Sequence, residues 1–381
     1  MTLSTSAKLT IVFSVLSLGL LVLGVQLYFS DRSPEKEKLY VALEGEGKIA
    51  VMDRLKGEVV SRISLRERKG MNVVNYMPHN VQVAPNGLSV WVTANVMTKA
   101  GMDGGHEEKV EDKHSSDQDQ VIVIDPRKDR IVKRIALGTD QHLTHVVVSN
   151  VGDYAYALSQ DKGVLYQIDA VSYGIRQRIE LGQDSGPHGL RLSSDGTKAF
   201  VAFMDGKGMG IVDTATGAVE RLDLLGTAVQ TAVTPDGKYV VVSIYDKKQV
   251  AIYQIETKRL SFVDLPSEAR GPVQLYSTPD SLNVYVADQG YYFNQPTSEW
   301  VYKVDLMLGK VVQTVKAGQG PHGIVLSDDG RYAYVTNIVS DDVSVIDLQD
   351  GREVQRIKVG DMPNGISIWS MDTTRTPQSQ Q

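Results

Sequence analysis

Short apolar runs alternate with polar turn residues along most of this chain. In the last full unit the runs are Gly323–Ser327, Tyr332–Thr336, Val343–Asp347 and Val354–Val359, and an Asp-Gly pair lies between the first two and between the last two. Runs of this length that are rich in β-branched and aromatic residues and bounded by Asp-Gly are typical of strands joined by tight hairpins. The pattern therefore predicts a four-stranded antiparallel unit.

This unit is repeated along the chain. It begins with Gly-Pro-His-Gly in its fullest form, and the residues at the histidine position of the successive copies are His79, His145, His188, Val229, Val273, His322 and Asn364. All but one of the steps between these positions are roughly 40 to 50 residues, which is the length of one four-stranded propeller blade. The repeat predicts a β-propeller.

The two ends of the repeat region are incomplete in complementary ways. The N-terminal part supplies three runs, Leu39–Leu43, Lys48–Asp53 and Val59–Leu65, and the C-terminal part supplies one, Gly365–Trp369. Together they make one blade, and this closure leaves few exposed sheet edges. We therefore expect an all-β fold, a single seven-bladed β-propeller over residues 38–370, whose N- and C-terminal strands share a blade.

One tetrapeptide makes a family resemblance specific. Tyr334-Val335-Thr336-Asn337 reads YVTN and lies in the second strand of its unit, and Trp91-Val92-Thr93-Ala94-Asn95 is a looser copy. Over about residues 38–370 the chain resembles the YVTN-repeat β-propeller family. Its relatives by fold include the propellers of nitrous-oxide reductase, the haem-d1 domain of cytochrome cd1, bacterial lactonases and archaeal surface-layer proteins. Such breadth implies a fold more firmly than a function.

The repeated histidines are the first candidate site. In a propeller each of these residues lies near the central axis on one face, so four histidines and Asn364 form an arc opposed by Val229 and Val273. Converging imidazoles suit a transition metal such as copper or zinc, or a haem-like group with one axial histidine. The metal ligands predicted on this basis are His79, His145, His188 and His322. The alternative is that each histidine bonds a local backbone group and serves only the fold.

The two longest departures from the repeat lie between second and third strands, and these loops emerge on the histidine face. The insertion from Val96 to Gln120 carries Met102, His106 and His114, which could cap a metal site, or it is a solvated acidic loop. The segment from Asp288 to Trp300 adds two tyrosines. The residues predicted to contact a cofactor are Arg191, Asn364, Tyr291 and Tyr292. Arg191 would bind an anion, unless it is salt-bridged or solvated.

Composition narrows the chemistry. The 381 residues carry a net charge of -6 and no cysteine. The charge gives no basic footprint for nucleic acid. The absence of cysteine excludes disulfides, thiolate metal sites and a covalently attached c-type haem.

The N-terminus predicts export. Leu9–Phe29 is an uncharged apolar run long enough to cross a bilayer, and Lys8 precedes it. We expect a cytoplasmic stub over 1–8, a membrane anchor over 9–29, a linker over 30–37 and a disordered tail over 371–381. A cleaved signal peptide is the alternative, and in either case the propeller lies on the periplasmic or extracellular side.

Three functions follow as hypotheses. The first is a membrane-anchored binding module whose histidine face holds a metal ion, a planar cofactor or a partner protein. The second is a metal- or haem-dependent oxidoreductase that uses the same histidines. It departs from nitrous-oxide reductase, because that family has a fuller histidine set and a cysteine-containing copper domain. The third is a lactonase-like hydrolase, implied by fold alone. No catalytic residue is assigned, and no nucleophile elbow or phosphate loop is present.

Overall fold

The computed structural model describes residues 37–97 and 116–370. The first strands in these ranges are β1 (Glu37–Leu43), β2 (Lys48–Asp53) and β3 (Glu58–Ser64), followed by a short hairpin of β4 (Glu67–Lys69) and β5 (Asn72–Val74). Blade two consists of β6 (Tyr76–Val83), β7 (Val90–Val96), β8 (Asp119–Asp125) and β9 (Arg130–Gly138). Blade three consists of β10 (Leu143–Val148), β11 (Tyr154–Ser159), β12 (Val164–Asp169) and β13 (Ile175–Glu180).

The later blades follow the same plan. Blade four consists of β14 (Pro187–Leu192), β15 (Lys198–Phe203), β16 (Gly208–Asp213) and β17 (Val219–Asp223), and blade five of β18 (Ala228–Val233), β19 (Tyr239–Ile244), β20 (Gln249–Gln254) and β21 (Arg259–Asp264). Blade six consists of β22 (Pro272–Ser277), β23 (Asn283–Asp288), β24 (Trp300–Asp305) and β25 (Lys310–Lys316), and blade seven of β26 (Pro321–Leu326), β27 (Tyr332–Asn337), β28 (Asp342–Asp347) and β29 (Arg352–Lys358). The last strand is β30 (Pro363–Ser370), and three single-turn 3-10 helices span Glu44–Glu46, Gln183–Ser185 and Tyr291–Phe293.

The ring closes where the sequence predicts. Strand β30 pairs antiparallel with β1, so blade one has the strand order β30-β1-β2-β3. The innermost strand of every blade contacts the innermost strand of the next, in the cycle β30, β6, β10, β14, β18, β22, β26 and back to β30. The fold is therefore an all-β seven-bladed propeller. The described residues include no helix that could cross a bilayer, and the predicted anchor at 9–29 lies outside them.

The core lies between the blades. Seven apolar clusters fill the seven interfaces, and each is formed by residues from two adjacent blades. The inner three strands of each blade are buried, whereas outer strands such as β29 alternate between exposed and half-buried positions. A sheet buried on both faces reads as a continuous apolar run, which explains sequences such as Tyr239–Ile244.

The YVTN tetrapeptide has a structural role. The hydroxyl of Thr336 accepts a hydrogen bond from the N–H of Gly323 at 2.7 Å in the same blade. It donates to the carbonyl oxygen of Asn364 at 2.7 Å in the next blade. The side chain of Asn337 donates to Asp342 and Ser344. Thr336 thus joins the inner strands of two blades.

The same device occurs in two other blades. Thr93 accepts from the N–H of Asn80 at 3.0 Å and donates to the carbonyl of Thr144 at 2.7 Å. Ser243 accepts from the N–H of Gln230 at 3.0 Å and donates to the carbonyl of Val273 at 2.7 Å. We call these three contacts the hydroxyl bridges.

Glycine after the histidine allows adjacent inner strands to approach. A methyl group at Gly323 would collide with the carbonyl oxygen of Asn364, and one at Gly189 would collide with the backbone of Gln230. These two positions therefore require glycine for the close approach of adjacent inner strands.

Thr336→Val should destabilise the protein more than Thr336→Ser. Valine matches the shape of threonine but leaves the buried N–H of Gly323 and the carbonyl of Asn364 without their partner, which costs about 1–3 kcal/mol. Serine keeps the hydroxyl and loses one methyl group. The measurement is denaturant unfolding of both variants and the wild type, and equal losses in the two variants would contradict the bridge.

Candidate functional site

The histidine position is set by a break in strand pairing. In blade seven the register between β26 and β27 shifts between Pro321 and Ile324, so His322 and Gly323 fall in the irregular step. Equivalent shifts occur in blades two to six. A bulge changes the direction in which a side chain points. In blade seven the shift takes the N–H of Gly323 out of the strand pairing, and the hydroxyl of Thr336 accepts its hydrogen bond.

Three of the four predicted histidines meet. The ring centroids lie 6.1 Å apart for His79 and His145, 5.4 Å for His79 and His188, and 5.5 Å for His145 and His188, all edge to face. His322 is also buried, and its ring lies 5.6 Å from that of Tyr292. We call these four residues the histidine cluster.

The far side of the cluster is polar, in contrast to the two valines that the sequence indicated. The side chains of Gln230 and Gln274 both reach His145, with Nε2 of each 3.2 Å from its Nε2. These glutamines follow Val229 and Val273 by one residue, and the valines themselves are buried in a small apolar group. The repeat alignment indicated Val229 and Val273, whereas the residues that contact His145 are Gln230 and Gln274.

A carboxylate that the sequence analysis missed lies at the mouth of the cluster. Glu44 follows β1 in blade one, and its Oε1 lies 3.5 Å from Nδ1 of His79. Its Oε2 accepts hydrogen bonds from the amide of Asn364 at 2.8 Å and from the hydroxyl of Tyr292 at 3.1 Å. The ring of Tyr291 lies 5.6 Å from that of Tyr292. The loop after β1 and the loop after β23 therefore share a face with the histidines, as the strand order predicted.

Each histidine has a different partner on its Nδ1 side. That of His188 lies 3.0 Å from the carbonyl oxygen of Val229, which fits the alternative in which a histidine bonds a backbone group. Nε2 of Gln289 lies 2.9 Å from Nδ1 of His322. A donating amide there places the proton of a neutral imidazole on Nε2 of His322.

Two buried imidazole nitrogens in the cluster have no hydrogen-bond partner within residues 37–97 and 116–370. They are Nε2 of His79 and Nε2 of His322, and both are buried. Buried polar atoms are nearly always paired, so an orphaned nitrogen needs an explanation. Since Glu44 lies on the Nδ1 side of His79, its Nε2 can act as an acceptor, while Nε2 of His322 can donate. The pair is suited to a ligand.

Burial keeps most of the cluster uncharged. Burial and then the neighbouring charges of His188 and Arg191 lower the pKa of His145 well below its ordinary value. Burial and then His79 lower the pKa of His188 in the same way, and that of His322 to about 4.

Glu44 and Tyr292 have opposite protonation states. Burial alone would raise the pKa of Glu44, but its hydrogen bonds with His79 and Asn364 lower it to about 2. Burial and then Glu44 raise the pKa of Tyr292 well above its usual value. An ionised Glu44 therefore accepts from a protonated Tyr292.

Arg191 lies three residues after His188 on β14 and is 6% exposed. Its Nη1 donates to the carbonyl of Leu190 at 2.8 Å, and its Nε has no partner among the described residues. Burial lowers its pKa to about 10, which leaves the guanidinium cationic.

The described side chains do not form a closed metal site. In residues 37–97 and 116–370, no three His, Asp or Glu side chains are arranged to hold a metal ion. The predicted cap residues Met102, His106 and His114 lie outside these ranges. The four-histidine metal centre therefore stays a prediction.

The fold and the site define a class: a seven-bladed β-propeller with a buried polar cluster at the axial face. No family model matches the chain. The β subunit of hydrazine synthase from Kuenenia stuttgartiensis is 35% identical over 225 residues, which is 47% of this chain and 58% of the subunit. An uncharacterised protein of Staphylococcus epidermidis is 25% identical over 220 residues, 52% of this chain and 60% of that protein. The chain thus spans about 60% of the length of these curated relatives.

Solved structures share the fold at lower identity. Hydrazine synthase from Kuenenia stuttgartiensis aligns with a TM-score of 0.65 at 18% identity and covers 83% of this chain and 93% of that one. Virginiamycin B lyase from Staphylococcus aureus aligns at 0.60 and 14%, over 76% and 87%. The dihydro-haem d1 dehydrogenase NirN in complex with DHE aligns at 0.56 and 16%, over 86% and 64%.

Acid should destabilise the propeller through the histidine cluster. Below pH 6.5 these histidines bind protons in the unfolded chain but remain neutral in the folded cluster. The free energy of unfolding therefore decreases as the pH is lowered from 6.5 towards the lowered pKa values. The midpoint temperature of thermal unfolding should decrease as the pH is lowered from 7 to 5. Between pH 7 and pH 5 the free energy of unfolding of His145→Gln should change less with pH than that of the wild type. The two slopes should differ by up to about 1.4 kcal/mol per pH unit.

The control for this measurement is His142→Gln, because His142 is partly exposed and lies outside the cluster. It should keep the pH dependence of the wild type. A His145→Gln variant with the same pH dependence as both would show that His145 is not held neutral.

Proposed function

We propose that this chain is a membrane-anchored, extracytoplasmic binding propeller whose histidine cluster holds a planar, haem-like cofactor. The observation that carries the proposal is a pair of buried imidazole nitrogens that have no partner in the described part of the chain, Nε2 of His79 and Nε2 of His322. One imidazole nitrogen is enough to ligate a haem iron from the protein side. The donor set fits such a group better than a closed metal site, which needs three or more ligands.

The protonation of the cluster supports the proposal. The imidazole nitrogen that ligates an iron must carry no proton, and Nε2 of His79 can meet this condition because Glu44 lies on the Nδ1 side of that ring. His322 is kept neutral by burial, and its Nε2 would act as a hydrogen-bond donor. When bound, a haem-like group would supply redox or ligand-binding chemistry at its iron. In this chain Glu44 would orient His79 through Nδ1, and Tyr291 and Tyr292 would lie beside the ring system.

One comparison supports the choice of a haem-like group. NirN is named for a haem d1 substrate and was solved with DHE, and it shares the propeller fold with this chain. A shared fold does not imply a shared function, and the residues of the histidine cluster are the support for the proposal. A mononuclear copper or zinc ion on His79, His145, His188 and His322 is the other occupant that the experiment below distinguishes.

A second candidate function is a subunit of an oxidoreductase assembly. The relative that is 35% identical over 225 residues is by name the β subunit of hydrazine synthase. In this version a partner protein covers the histidine face and supplies or accepts electrons. The lactonase-like alternative depends on fold analogy only and is not proposed.

Haem binding should depend on the two orphaned nitrogens. The full-length chain is titrated with hemin and followed by absorption, with His79→Gln, His322→Gln and the partly exposed His142→Gln as the matched control. We expect saturable binding that weakens at least tenfold in His79→Gln or His322→Gln and is unchanged in His142→Gln.

Elemental analysis of the wild type and of one double variant separates the alternatives. Copper or zinc that is retained by the wild type and lost in His188→Ala combined with His322→Ala would replace haem by a metal ion. Hemin binding that is equal in all four proteins would contradict the proposed site.

The membrane anchor should retain the protein in the membrane. We propose that Leu9–Phe29 spans the bilayer, since this run has no charge over a length sufficient to cross it. The full-length chain should stay in the membrane fraction after an alkaline wash and be released by non-ionic detergent. Recovery of a soluble form that mass spectrometry shows to lack residues 9–29 would establish a cleaved signal instead.

A further inference from the structure

The seven innermost strands of the propeller carry one charged side chain. Arg191 is the only Asp, Glu, Lys or Arg in the seven innermost strands β6, β10, β14, β18, β22, β26 and β30. We propose that Arg191 forms an oxyanion site in the channel, which receives a carboxylate or a small inorganic oxyanion. The site lies next to the histidine cluster but is separate from it.

The side chain of Arg191 reaches towards the axis. Its charge acts on His145 in blade three and on Tyr276 in blade six, although Arg191 itself belongs to blade four. Blades four and six are not adjacent, so only a side chain near the axis can be close to both. In β14 the side chain of Arg191 lies on the face opposite Leu190 and Leu192, which pack between blades three and four, and the guanidinium lies towards the axis.

The guanidinium is poorly satisfied for a buried cation. Only its Nη1 has a hydrogen bond within the described chain, to the neighbouring carbonyl of Leu190, and Nε has none. By contrast, the partly buried Arg54 pairs with Glu37 and contacts the hydroxyl of Tyr334. Burying an unpaired charge costs several kcal/mol, and such groups in proteins are normally paired.

No described carboxylate balances this charge. Glu44 is the acid of the cluster, and its oxygens face His79, Asn364 and Tyr292. A planar guanidinium binds carboxylates and other oxyanions through paired N–H groups, and such bonds are strong in a low-dielectric site.

The anion has two sources, which share the same chemistry. It can be a free oxyanion, or it can be a carboxylate of the ligand that the histidine cluster holds. The second version rests on the proposed function. The first does not, because it needs neither a metal nor a planar cofactor.

The test measures binding of sodium formate and sodium phosphate to the full-length chain in non-ionic detergent, by thermal unfolding at fixed pH and matched ionic strength. Sodium chloride is the reference salt. We expect formate or phosphate to raise the unfolding midpoint of the wild type above that in chloride. The increase should vanish in Arg191→Gln and persist in Arg178→Gln, which changes an exposed arginine paired with Glu180.

A second measurement keeps the test valid if the variant is perturbed. Without added oxyanion, Arg191→Met should be at least as stable as the wild type, because a buried unpaired charge is replaced by an apolar side chain of similar length. A large loss of stability in Arg191→Met would show that the charge serves the fold and would overturn the proposal.

The two sources are separated with hemin and its dimethyl ester, which lacks free carboxylates. If the wild type binds hemin about tenfold more tightly than the dimethyl ester, and Arg191→Gln does not, the anion is a carboxylate of the cofactor. A formate or phosphate response without that preference assigns it to a free oxyanion. If neither the salts nor the ester distinguishes the wild type from Arg191→Gln, there is no oxyanion site, whatever the fate of haem binding.

Discussion

The hydroxyl bridge between adjacent inner strands is the interaction on which both the ring and the site depend. At the histidine position the strand leaves its regular register, which frees backbone groups that cannot remain unpaired in a dry interior. Thr336 satisfies one such group in its own blade and one in the next. The same contacts hold the strand irregularity that turns His322 inward. A bond that appears structural in the sequence therefore also determines where the imidazoles point.

Desolvation decides the chemistry of the axial face. Burial disfavours the charged form of His322 more than Glu44 favours it, so this histidine is neutral with a pKa of about 4. Glu44 stays ionised because three polar side chains surround its two oxygens. Arg191 has no such set of partners. The face thus combines neutral donors and acceptors with one well-compensated anion and one poorly compensated cation.

The fold could be predicted because its signals are local. Asp-Gly turns, apolar runs and a regular period are all visible within single repeats, and the strand bounds in blade seven lie within a few residues of those predicted. The site could be predicted only in part. His79, His145 and His188 were placed together by the repeat alignment, and so was Asn364. Gln230 and Gln274 were missed because the bulge turns a neighbouring residue towards His145. Glu44 was missed because it stands outside the repeated motif.

Ring closure assembles the mouth of the site. Glu44 comes from the first strands of the described chain and Asn364 from the last, 320 positions apart, and their hydrogen bond forms only when β30 pairs with β1. Both residues then contact His79 in the adjacent blade. Anything bound against Nε2 of His79 would favour this arrangement over a ring opened at blade one, because ligands stabilise the state that binds them. The blade that joins the two ends of the described chain closes the ring, and it also carries the acid that lies beside His79. Affinity for a ligand and stability of the closed ring are therefore linked through the same two side chains.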